Sequence, residues 1–116
     1  MDEFDENLSQ AIDETIRYCL GDVNAQIIYR YLEKQGCPEQ KIPEKLDFLV
    51  TVLESLVGSG RGQILGAAQI MENEILKAFC AKLGIDYAEV GPGYLPEQIR
   101  KLKEIYNRRK NKSSTI

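Results

Sequence analysis

The sequence contains no histidine and no tryptophan in 116 residues. Without histidine there is no imidazole to move protons near neutral pH, to activate a serine or cysteine, or to ligate zinc or haem. Carboxylate- or lysine-based chemistry survives that exclusion. Cysteine is scarce and odd in number: Cys19, Cys37 and Cys80, with no C-x-x-C pair. Such thiols read as small apolar packing residues in a reducing, cytoplasmic setting. Cys19 and Cys80 fall near expected helix C-termini, where the dipole disfavours a thiolate. Cys37, after Gly36 in a loop, is the thiol expected to be exposed. No apolar run approaches the roughly 18 residues that a membrane span needs. The acidic start, MDEFDENL, reads as neither a secretion signal nor a transit peptide. No stretch alternates with period two, so no strand is expected.

What remains is helical spacing with clear punctuation. Phe4, Leu8, Ile12, Thr15, Ile16 and Cys19 fall at intervals of three and four and form one stripe. Gly21 stops that helix, and Asp22 stands where the next N-cap belongs. Val23, Ile27, Ile28, Tyr31 and Leu32 carry a stripe on the second helix. Lys34-Gln35-Gly36-Cys37-Pro38 ends it with a base, a glycine and a proline. Pro43 suits the first position of a third helix, whose inner face is expected from Leu46, Leu49, Val50, Leu53, Leu56 and Val57. A fourth helix follows with Ile64, Leu65, Ala68, Met71, Ile75, Phe79 and Leu83 on its inner side. Gly66 is a weak point within it. Asp86 caps a further turn, and Pro96 opens a last helix through Ile99, Leu102, Ile105 and Tyr106. The expected fold is all-α, a compact antiparallel bundle of about five helices in a single domain over residues 1–107. A basic, frayed tail is expected over residues 108–116.

Charge is segregated within a net charge of −3. Residues 1–16 carry six acids and no base. Residues 97–112 carry seven bases, including Arg100, Arg108 and Arg109, against two acids. The plain reading is two solvated helix faces that attract each other. The sharper one is a basic arm for an acidic partner.

Four constellations invite a chemical reading. Gly58-Ser59-Gly60-Arg61-Gly62 precedes a helix, so its backbone N–H groups and Arg61 suit an anion or nucleotide phosphate. It lacks the Lys-Ser/Thr pair of a phosphate-binding loop and follows a helix, so the competing reading is a helix–helix turn. Glu72 and Glu74 are two apart and point to different sides, which opposes a metal site on that helix. Cys37 would need Lys34 or Lys41 to activate it. Tyr29 and Tyr31 flank Arg30 and cannot share a helix face, so one packs inward and the other faces out. Tyr94, between Pro92 and Pro96, is either a lid over the bundle or a binding edge.

One stretch of signals has a family likeness. It runs through Tyr18-Cys19-Leu20-Gly21, Ile28 to Lys34, Lys41-Ile42-Pro43, the break at Gly58 to Gly62, Glu74 to Lys77 and Cys80 to Tyr87. Over Ile12 to Val90 this order resembles an archaeal all-helical family, the Nitrosopumilus output domain. The resemblance implies an all-α fold and a role downstream of a sensor, and it brings no catalytic residue. The expectation is a non-enzymatic interaction or regulatory module without cofactor or metal. Its interaction residues are expected among Tyr29, Arg30, Tyr94, Arg100, Arg108 and Arg109. The partner is an unknown protein or a second copy of the chain, not a membrane. The alternative is an anion site at Gly58, Gly60, Arg61 and Gly62. Net acidity ranks a nucleic-acid partner third.

Overall fold

The computed structural model describes residues 2–58 and 66–114, with side chains as far as residue 111. Five α-helices account for most of them: α1 (Glu3–Leu20), α2 (Asp22–Lys34), α3 (Leu46–Val57), α4 (Ala67–Leu83) and α5 (Leu95–Ser114). Two 3-10 turns, Glu39–Glu44 and Tyr87–Glu89, bridge α2 to α3 and α4 to α5. The fold is all-α, and no strand occurs among the described residues.

The long helices α1 and α4 form the centre. Leu8, Ile12 and Ile16 of α1 and Ile75, Leu76 and Phe79 of α4 are fully enclosed. Phe79 meets Phe4 edge-on at 4.9 Å, and Phe4 tilts against Tyr106 of α5 at 5.5 Å. These ring contacts bring the start of α1, the end of α4 and the middle of α5 together. Each pair adds about 0.5–1.5 kcal/mol beyond burial. Cys19 departs from the expected stripe and is exposed.

The caps differ from expectation in instructive ways. Gly21 serves both helices at once. With φ 86° it ends α1, donating to the Arg17 carbonyl, and it is also the N-cap of α2. Asp22 is therefore the first residue of α2, where its charge suits the helix dipole and it accepts from Arg17 at 3.1 Å. At the other end of α2, Cys37 N–H bonds the Leu32 carbonyl at 2.9 Å and Gly36 N–H bonds Glu33 at 3.0 Å. This crossed pair turns the residue after the glycine back onto its own helix. Cys37 is consequently 1% exposed, the reverse of the expected loop thiol. The end of α4 repeats the device: Ile85 N–H bonds Cys80 and Gly84 takes the left-handed conformation. Ile85 is buried in turn.

Three helix starts also move. Pro43 lies inside the 3-10 turn, and α3 begins at Leu46. Gly66 is the N-cap of α4 and not an interior residue; its N–H donates to Gln69 Oε1 at 2.6 Å. Ile64 and Leu65 lie outside the described residues. Helix α5 opens one residue before Pro96 and runs on through the basic segment to Ser114. Among the described residues, no helix is long and apolar enough to cross a membrane.

Candidate functional site

Helix α2 carries two apolar faces. Ala25, Ile28 and Leu32 are buried against the bundle. Val23, Ile27 and Tyr31, four residues apart from one another, form a second row that points outward. They are 74%, 53% and 46% exposed. The single stripe expected on this helix is thus two stripes. The inner one satisfies the fold, and the outer one has no partner in the described chain. Leu56 of α3, expected in the core, is 51% exposed instead. It lines a shallow groove of about 240 Å³ with Leu20, Asn24, Ile27, Ile28 and Val57. The outer row and this groove together make one apolar surface across α2 and α3. Single exposed apolar residues are ordinary on a monomer, whereas a contiguous set marks an interaction site.

Charge frames the surface. Arg30 and Lys34 lie on the solvent side of α2, one turn apart, and both are exposed. Asp22 stands at the other end of the helix, its side chain 78% exposed. The helix is therefore acidic at its start and basic at its end, along the same exposed side.

Of the two flanking tyrosines, Tyr29 packs inward and Tyr31 faces out. The Tyr29 hydroxyl donates to Asp13 Oδ1 at 2.8 Å. Arg17 donates to both oxygens of Asp13, at 2.9 and 3.1 Å, and to Asp22. Burial first, and then the Asp13 carboxylate, pushes the Tyr29 phenol well above its ordinary value. Tyr29 thus clamps α2 to α1 and takes no part in the outer surface. Tyr31 takes the place expected for it.

The remaining candidates are scattered. Tyr94 sits in the turn before α5, 43% exposed, and burial first, then the Asp47 carboxylate at the start of α3, pushes its phenol up. Gln98 donates to the Gly91 carbonyl at 2.9 Å and Lys101 to that of Val90 at 3.2 Å, so this turn is tied down onto α5. Arg100 is exposed and borders a cleft that also holds Asp5, Glu44, Asp47 and Lys103. Arg108 is exposed. Arg109 donates to the Gly84 carbonyl at 3.2 Å and pairs with Glu89 at 2.7 Å. It therefore neutralises the negative end of α4. Glu3 lines a cleft with Arg109 and Lys110. The acidic and basic ends of the chain face one another, which is the plainer of the two charge readings. Of the glycine-rich loop, only Gly58 is described, with φ 92° at the end of α3. Gly60, Arg61 and Gly62 lie outside the described residues.

One carboxylate stands out that spacing alone could not mark. Glu72 borders a polar cleft of about 250 Å³ with Gln69, Asn73, Tyr87 and Gln98. Its Oε2 is buried and has no hydrogen-bond partner among the described residues. Burial, with a smaller contribution from Glu54, raises its carboxyl to about 7. Glu74 is exposed and pairs loosely with Lys77 at 3.7 Å. No group of three or more acids and thiols able to hold a metal occurs among the described residues. Burial pushes the Cys37 and Cys80 thiols up, away from the reactive thiolate.

Comparison with known proteins adds no identity: no family model, curated protein or solved structure matches this chain.

Proposed function

We propose that this chain is a non-enzymatic helical interaction module of regulatory type, whose docking surface is the outer face of α2 together with Leu56. It docks an amphipathic helix. The observation that carries the reading is the second apolar row, Val23, Ile27 and Tyr31, on a helix whose inner row already satisfies the core. The outward part of such a row costs solubility and contributes nothing to the isolated fold. Arg30 and Lys34, unpaired among the described residues, favour an acidic flank on the incoming helix. A signal-output role accords with this surface and with the family resemblance of residues 12–90. Three free cysteines support a reducing, cytoplasmic setting.

The test is photo-crosslinking in producing cells. A photoreactive amino acid replaces Tyr31 in one variant and Glu104 of α5 in another, with the crosslinked peptide identified by mass spectrometry. The reading requires a defined adduct from position 31 that Ile27→Glu removes. Equal crosslinking from both positions, or none from position 31, overturns it.

A further inference from the structure

We infer that the helix docked on this surface is α2 of a second copy of the chain, packed antiparallel about a two-fold axis at Ile27. The inference rests on the docking reading above and names its partner. Three properties of α2 carry it.

The first is register. An antiparallel pairing centred on Ile27 places Ile27 against its counterpart and Val23 against Tyr31 of the other copy. Every exposed apolar residue of the row then meets another, as an isologous interface demands. The groove beside Leu56 adjoins the row at Ile27 and receives apolar side chains from the second copy.

The second is charge. In that register Asp22 of one copy lies between Arg30 and Lys34 of the other, about 3 Å along the axis from each. In an antiparallel two-fold pair the same flank of each helix adjoins its counterpart. Asp22 and Arg30 lie on the same side of the row, so Asp22, which also accepts from Arg17 of its own chain, comes within reach of the long Arg30 side chain twice in the dimer. Neither base has a partner among the described residues. A parallel pairing would instead set Arg30 and Lys34 against themselves. Antiparallel helix dipoles favour the same arrangement.

The third is area. Val23, Ile27, Tyr31 and Leu56 expose on the order of 400 Å² per copy, or about 800 Å² for the pair, so even with its rim the interface belongs to the small, transient class. The expected species is a reversible dimer that dissociates within the concentration range scanned below, since area alone sets no dissociation constant.

Sedimentation equilibrium from about 1 to 500 μM tests this on the full chain. The wild type should pass from monomer to dimer across that range. Ile27→Glu should stay monomeric while melting within a few degrees of wild type. The decisive arm is a mixing experiment. Asp22→Arg alone faces Arg against Arg, and Arg30→Asp alone faces Asp against Asp, so each should associate at least tenfold more weakly. Mixed together, the two variants restore both contacts and should form a heterodimer at wild-type concentrations. A dimer insensitive to Ile27→Glu, or variants that fail to recover on mixing, overturns the arrangement. A chain monomeric at 500 μM overturns self-association. A defined adduct to a different protein from position 31 would then keep the docking surface, and absence of any adduct would remove both.

Discussion

Replacing Glu72 by glutamine should make the protein more stable at pH 8 and leave it nearly unchanged at pH 5. The carboxyl titrates at about 7 in the folded chain against an ordinary 4.5. Folding therefore holds a proton that the unfolded chain releases. Stability from this group is fully present below about pH 4.5 and is lost as the pH rises through 7. The full difference would be worth about 3 kcal/mol at 1.36 kcal/mol per unit. The side chain is half-open, so solvent screening reduces the expected effect to about 1–2 kcal/mol. For a chain of this length that is a shift of roughly 3–10 °C in Tm. The absence of histidine sharpens the measurement, because no imidazole titrates across the same interval. Thermal melts of wild type and Glu72→Gln at half-unit steps from pH 5 to 8.5 give the difference directly. The two curves should coincide at low pH and separate as the pH rises. Parallel curves, or a variant less stable at pH 8, would refute the account of Glu72 as a carboxyl held neutral by burial.

Other expectations follow from the same geometry. Ile28→Ala should cost about 2–4 kcal/mol because it opens a buried site, whereas Ile27→Ala, one residue away, should stay within about 0.5 kcal/mol; urea melts of the two compare the faces of α2. Tyr29→Phe should lose about 1 kcal/mol by removing the bond to Asp13, read by the same denaturation. Cys19 should react with a thiol reagent in the native chain, and Cys37 and Cys80 only on unfolding, as counted by mass spectrometry over time.

Helix existence was legible because period and punctuation agreed. The stripe of Leu8, Ile12 and Ile16 and the glycines at 21, 36 and 84 all fall where the structure uses them. The second face of α2 was not separable in advance. Ile27 and Ile28 are adjacent and equally apolar, and only the position of α1 and α3 decides which one turns inward. Leu56 was misplaced for the same reason, since α3 is apolar on more than one side. Cys37 runs against expectation because a glycine stop does not open a loop. The crossed hydrogen bonds of such a stop instead return the next residue to the helix. The Gly-Cys-Pro order held that signal. Glu72 is marked in the sequence only by its spacing from Glu74, and its burial is not, because its neighbours Glu54, Tyr87 and Gln98 come from distant segments. The basic end leaves both a solvated face and an arm open in the sequence, and Arg109 is tied to Gly84 and Glu89, contacts across 25 and 20 residues that no local pattern encodes.

The central claim is that α2 associates through its outer face, and methyl-resolved NMR across a concentration series tests it most directly. The account predicts that signals of Val23, Ile27 and Leu56 move together as concentration rises through the monomer–dimer range, while Ile105 on α5 stays fixed. Invariant signals at Val23, Ile27 and Leu56, or shifts of equal size at Ile105, would contradict it.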